Sequence, residues 1–139
     1  MIPSEATPKD LNAIGNQTLI SHLGIEFTAV GSDFVEAKMP VDERTFQPMG
    51  MLHGGASVAL AETLGSAASY LMVDINTHYP VCIEINANHV GGAKEGFVHG
   101  TAKLVHEGKS THVWSIEIVG DDQKLISTSR MTMMIIKRK

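Results

Sequence analysis

The chain predicts an α+β fold in which a single antiparallel sheet covers one long helix. Three observations carry this. Residues 54–72 form one uninterrupted helical stretch of small and apolar side chains. Strand-like segments with alternating character lie on both sides of it, two before and four after. The connections within each group are short and rich in turn residues, which forces sequential neighbours to run antiparallel.

Bulk properties narrow the class. At 139 residues the chain is one domain, residues 1–139, large enough to bury a core. A formal net charge of -4 gives no general attraction to nucleic acid or to an anionic membrane. Lys137, Arg138 and Lys139 form a basic end, a solvated tail rather than a binding site. The single cysteine, Cys82, excludes an internal disulfide and fits a reducing compartment. No apolar run reaches the length of a membrane span, and the first residues lack the basic start and apolar core of a signal peptide. These features point to a soluble cytoplasmic protein with neither nucleic acid nor membrane as partner.

Along the chain, residues 1–6 show no periodicity and are expected to be a loose end. Thr7-Pro8 has the chemistry of a helix start, a hydroxyl cap followed by proline at the first helical position. Leu11, Ile14, Leu19, Ile20 and Leu23 suggest two short helical turns broken at Gly15-Asn16 and ending near Gly24. Segments 25–30 and 34–39, split by Gly31-Ser32-Asp33, form a hairpin pattern. Residues 40–52 are too polar and too rich in proline and glycine for a regular element, and a loop of that length usually serves a purpose. The helix follows and is expected to be buried on several sides. Beyond it, segment 81–90 places Val81, Ile83, Ile85 and Ala87 on one face and Glu84, Asn86 and Asn88 on the other. Three further segments, near 97–106, 110–119 and 124–136, complete the sheet.

Several chemistries are excluded by motif. The chain has no phosphate-binding Gly-x-x-x-x-Gly-Lys loop and no Gly-x-Gly-x-x-Gly turn. His106-Glu107 begins like a zinc-protease motif, but the second histidine position holds Ser110. No His or Cys pair has structural-zinc spacing, so no metal is expected. The Ser57 region lacks a nucleophile elbow's second glycine.

What remains is Glu62, a carboxylate in the middle of an apolar helix, which costs free energy unless it is paired or used. Ser66, four residues on, shares its helical face; it is either a partner in chemistry or a small residue that admits another helix. His53-Gly54-Gly55 is either a tight helix entry capped by histidine or a set of unobstructed amides able to polarise an oxygen. Gln47 either braces its loop or holds a water or carbonyl. His53 and Glu62 are nine residues apart, roughly 13 Å along one straight helix. That is too far for both to meet one reacting carbon. If they cooperate, they come from two antiparallel copies of the helix in a two-fold dimer.

The run 47–55, Gln-Pro-Met-Gly-Met-Leu-His-Gly-Gly, followed by Ala61-Glu62 and Gly65-Ser66, resembles the signature of hotdog-fold acyl-CoA thioesterases. The likeness extends to 36–42, 84–90, 113–118 and Ser129-Arg130, and so covers nearly the whole chain in order. It is strongest to the branch that holds the phenylacetate-pathway and 1,4-dihydroxy-2-naphthoyl-CoA thioesterases. The resemblance implies a sheet wrapped around the helix, a homodimer assembling into a homotetramer, and hydrolysis of acyl-CoA with coenzyme A entering only as part of the substrate. Glu62 would attack the thioester or activate water. The Gly55 amide, with Gly54 nearby, would polarise the carbonyl, His53 would orient it, and Gln47 and Ser66 would position water and substrate. Asn88, His89 and Val90 would hold the pantetheine arm and nucleotide, with Lys109 and Ser110 contacting the nucleotide.

Two departures stand out. Gly91-Gly92 replaces a basic residue common after Asn-His-Val, which either shifts phosphate contact to Lys94 or Lys109 or weakens it. Met49 stands where some relatives carry an aromatic residue. Trp114, His99, His106 and residues 131–134 are assigned to packing or to the solvated surface. Rival readings are a non-catalytic acyl-CoA sensor and a hotdog enoyl-CoA hydratase; the second needs an Asp with a His five residues later, which the chain lacks.

Overall fold

The computed structural model describes all residues, 1–139. Two short helices, α1 (Pro8–Ile14) and α2 (Leu19–His22), precede a hairpin of β1 (Glu26–Val30) and β2 (Phe34–Pro40). The long helix α3 (Gly54–Leu71) follows, then β3 (His78–His89), β4 (Phe97–Glu107), β5 (Thr111–Gly120) and β6 (Leu125–Lys137). The strands form one six-stranded sheet in the order β1-β2-β4-β5-β6-β3, and every neighbouring pair is antiparallel. β3 is an edge strand, and its outer edge has no partner within the chain.

α3 lies on one face of this sheet. Its buried residues are Ser57, Leu60, Ala61, Leu64, Gly65, Ala68 and Ser69, the three-four spacing of a single helical face. Two glycines let helix and sheet approach closely. A methyl group at Gly65 would clash with Met131 Sδ, and one at Gly100 on β4 would sit 2.6 Å from Leu64 Cδ1. The opposing core is Val35, Ala37 and Met39 on β2 with Trp114, Ile116 and Ile118 on β5. Only one side of α3 is buried, against the expectation of burial from several sides, and Glu62, Ser66 and Tyr70 remain half-exposed on the other.

Two further expectations are corrected. The first residues are not a loose end: Ile2 is 4% exposed, belongs to the core, and donates its N–H to Ser32 O at 2.9 Å. In β3 the alternation breaks at a bulge at Ile83, between Cys82, opposite Met133, and Glu84, opposite Thr132. An extra residue reverses which faces follow. Cys82 therefore shares a face with Ile85, and Ile83 turns out to 52% exposure. Val81 and Ile83 do not line up with Ile85 and Ala87.

Trp114 packs as expected, fully buried, and His99 is a surface residue paired with Asp121 at 2.7 Å. Met131 and Met133 are core, while Met134 is exposed. Ser69 anchors the far half of α3. Its Oγ accepts the Trp114 Nε1–H at 2.8 Å and lies 3.1 Å from His112 Nδ1. With Trp114 donating to it, the hydroxyl proton is free to go to His112 Nδ1, which makes the imidazole a neutral acceptor there.

Burial pushes His112 below its ordinary value of 6.5. The unfolded chain takes up a proton near pH 6.5 that the folded chain refuses. This stability is therefore complete above that pH and is lost as pH falls below it toward the lower folded value. Urea unfolding at pH 7.5 and 5.5 is expected to show a lower midpoint at 5.5, with a shallower pH dependence in His112→Asn.

Candidate active site

The loop before α3 is itself folded. Phe46 and Leu52 form an isolated bridge, and Gln47 N–H donates to Met51 O at 2.7 Å. Gly50 N–H returns to Gln47 O at 3.0 Å, with Gly50 in the left-handed region at φ +73°. The Gln47 side-chain carbonyl accepts the Met49 N–H, so its oxygen braces the loop, and its amide nitrogen is left uncommitted. His53 N–H donates to Thr45 O and Leu52 N–H to Ala93 O, both at 2.8 Å. The second bond ties the helix entry to the loop 91–96, whose Lys94 is exposed.

At the helix start His53 is the cap, and its Nδ1 accepts the Gly55 N–H at 2.8 Å. The Gly55 amide is therefore engaged within the chain. The Gly54 N–H, first in the helix, has no acceptor there, as helix geometry leaves it. His89 packs directly on this turn: a methyl group at Gly54 would sit 2.9 Å from its Cδ2 and Nε2. Its Nδ1 lies 3.1 Å from the Oγ of buried Ser127. One free amide, one amide held by an imidazole, and a second imidazole thus converge at one point.

Glu62 belongs to a different place. It lines a cavity of 560 Å³ with Ala59, Ser66, Ala67 and Tyr70 of α3 on one side and residues of α1 and α2 on the other. Neither His53, Gly54 nor Gly55 touches this cavity. Glu62 forms no ion pair with any Lys, Arg or His. The Ser66 hydroxyl approaches Met133 Sδ at 3.9 Å. Cys82 lies beside Glu62, and burial first, then the neighbouring carboxylate charge, push its thiol above the ordinary value.

The residues expected to hold coenzyme A are divided. His89 and exposed Val90 lie at the helix start, where Val90 N–H donates to Ile126 O at 2.9 Å. Asn88 points to the opposite side of the sheet, in a polar cleft with Asn86, Ser115 and Arg130. Lys109 sits in the β4–β5 hairpin next to Ser110, in a cleft with Met72, Asp74 and His78 at the other end of α3. Sequence reasoning did not find Tyr70, Tyr79, Ser127 or the cavity wall of α1 and α2. The only local signal was the apolar spacing of 11–23.

An unpaired carboxylate beside a largely apolar cavity, and a helix start with an amide lacking an acceptor, are the two chemical features of the long helix. Residues 49–127 match the family model of the thioesterase superfamily. The chain is 48% identical to the 1,4-dihydroxy-2-naphthoyl-CoA hydrolase of Escherichia coli over 130 residues, 94% of this chain and 95% of that protein. It is 44% identical to the proofreading thioesterase EntH of Cronobacter turicensis over 133 residues, 94% of each. A crystal structure of a mutant thioesterase from Pseudomonas aeruginosa superposes with a TM-score of 0.96 at 44% identity, covering 99% of both chains. The chain belongs to the thioesterase superfamily, and its helix wrapped by one sheet is the hotdog fold. It is an enzyme, a hydrolase of acyl-CoA-type thioesters.

The contact of His89 with Gly54 gives a direct check. Gly54→Ala is expected to fold, with a stability loss of about 1–3 kcal/mol from overpacking. It pushes the imidazole off its seat, and kcat/KM for an acyl-CoA is expected to fall at least about tenfold, as small misplacements in a site do. Thiol-release kinetics beside a thermal melt separate the two effects.

Proposed function

We propose that this enzyme hydrolyses aryl-CoA thioesters at a site shared by two copies of the chain. The observation that carries the reading is the separation of the two halves: an unpaired Glu62 in an apolar cavity, and a helix start with donors nine residues away that does not reach it. Roughly 13 Å of helix axis lies between them. An antiparallel second helix brings the donors of one copy to the carboxylate of the other. The unpartnered outer edge of β3, 12 residues long, supports pairing of two sheets by main-chain bonds. The resemblance extends this dimer to a homotetramer.

A thioester carbonyl is electrophilic enough for a positioned carboxylate and preorganised donors to suffice. Glu62 either bonds the carbonyl carbon, expelling the coenzyme A thiolate and leaving an anhydride for water to open, or takes a proton from a water that makes the same attack. The carbonyl oxygen accepts from the Gly54 N–H and from the Gly55 N–H, which exchanges its His53 partner for substrate. Gln47 and Ser66 hold the water and the thioester. His89, Val90 and exposed Lys94 flank the helix start and suit the pantetheine arm and a phosphate. Lys109 and Ser110 return to this end only from the second copy, because antiparallel helices set the end of one against the start of the other. The names of the Escherichia coli and Cronobacter relatives support the hydrolytic reaction, and the first supports an aromatic acyl group. A reducing cytoplasm suits the single free thiol.

Glu62→Gln is expected to lose 10²–10⁴ of kcat, the range for removing a group that moves a proton. Benzoyl-CoA binding, measured by titration calorimetry, should persist. Wild-type turnover in that variant would remove Glu62 from the mechanism.

Subunit mixing tests the shared site. Glu62→Gln and Gly54→Ala each damage a different half. Refolded together, they form mixed dimers with one intact site, and about a quarter of wild-type activity is expected. No recovery would place both halves of the site in one chain.

A further inference from the structure

A buried hydroxyl behind the start of α3 fixes a proton on the imidazole that covers it. We propose that Ser127 is a positioning residue. Its hydroxyl donates to His89 Nδ1, which puts the ring proton on Nε2 and presents Nε2–H to an amide carbonyl of the pantetheine arm. This rests on the reading of His89 as a holder of that arm and adds what sets its hydrogen bonding.

Strand register makes the pair. His89, the last residue of β3, stands directly opposite Ser127 on β6, so the two side chains leave the sheet on the same face. Two main-chain bonds close the strand just beyond: Val90 N–H and Gly91 N–H both donate to Ile126 O, at 2.9 and 3.1 Å. Glycine at 91 permits this approach, since a methyl group there would sit 2.6 Å from Leu125 O. The backbone carrying His89 is thereby pinned to β6. Its ring is held on two sides, with Nδ1 3.1 Å from Ser127 Oγ and the Cδ2–Nε2 edge against Gly54.

The available partners assign the proton. Ser127 is 2% exposed, and the one side-chain partner of its hydroxyl is His89 Nδ1. A hydroxyl can both donate and accept, whereas a single ring nitrogen does one or the other. If Nδ1 carried the ring proton and donated it, the hydroxyl proton would be buried without an acceptor and would bear the full desolvation penalty. With Oγ–H donating to Nδ1 the pair is satisfied, and the ring proton goes to Nε2. That nitrogen has no hydrogen-bond partner within the chain, and His89 is exposed.

A donor fixed beside the helix start matches what pantetheine offers, amide carbonyls and no charge. Without the Ser127 hydroxyl the ring has both tautomers open to it. One of them turns a bare nitrogen lone pair toward those carbonyls, and the bond is lost.

Two measurements on the full-length enzyme test this. In nitrogen-15-labelled protein at mildly alkaline pH, with His89 assigned against His89→Ala, the imidazole shifts are expected to place the proton on Nε2. Ser127→Ala is expected to show a mixture of tautomers. A wild-type proton on Nδ1, or a tautomer that Ser127→Ala leaves unchanged, overturns the proposal. In benzoyl-CoA hydrolysis Ser127→Ala is expected to raise KM about fivefold, the effect of one neutral hydrogen bond. The kcat is expected to stay near wild type, the pattern of an interaction made equally before and in the transition state. A fall in kcat at constant KM overturns the assignment to the arm. In a His89→Ala background the same serine change is expected to leave KM where it is. An equal rise there makes Ser127 a packing residue and overturns the proposal. A wild-type enzyme that releases no thiol from benzoyl-CoA overturns the aryl reading of the site, while the nitrogen shifts, which need no turnover, decide Ser127 by themselves.

Discussion

The close seating of α3 on the sheet is the constraint on which the rest depends. Gly65 leaves room for Met131, and Gly100 leaves room for Leu60 and Leu64. With the axis held this near the sheet, the buried face consumes the positions that repeat from Ser57 to Ser69. What is left is a stripe from Ala59 through Glu62 and Ser66 to Tyr70, turned away from the core and toward the cavity. A carboxylate in the middle of an apolar helix survives because it lies on this stripe. At the neighbouring position of Ala61 it would be buried in the core without a partner, at a cost of several kcal/mol.

The same helix then divides the chemistry by length. Donors belong at a helix start, where amides lack acceptors, and glycine at 54 and 55 keeps side chains out of their way. The carboxylate lies farther along, where small neighbours leave an open slot. One rigid rod cannot bring the two together, since each residue adds about 1.5 Å. Oligomerisation and catalysis are therefore coupled by geometry in the proposed scheme. The two imidazoles illustrate how finely the start is arranged: His53 caps the turn from within, while His89, held by Ser127, covers it from the sheet.

Much of this was legible in the sequence, for reasons that differ from element to element. The long helix announced itself by small apolar residues bounded by His53-Gly54-Gly55 and Asp74, and the Thr7-Pro8 start by its capping chemistry. Glu62 and the glycines stood out because each is costly or unusual in its context. The bulge at Ile83 was not legible, because Val-Cys-Ile-Glu carries no glycine or proline to mark a change of phase. The burial of Ile2 was missed because one apolar residue has no period. Asn88 and His89 were assigned to one role although neighbours on a strand point to opposite faces; the structure separates them accordingly. The cavity wall of α1 and α2 was out of reach, since it exists only once both helices fold back over α3.

The bulge has a chemical consequence beyond strand register. It turns Cys82 toward Glu62, so a thiol stands next to the group that the proposed mechanism uses on a thioester. A thiolate there would compete, since it attacks thioesters readily and would exchange acyl groups instead of delivering them to water. Burial and the adjacent carboxylate act together against that outcome by pushing the thiol up from its ordinary value. A protonated thiol is a poor nucleophile. The carboxylate that the proposed mechanism uses thus also holds the neighbouring thiol in its protonated form, and burial reinforces the effect.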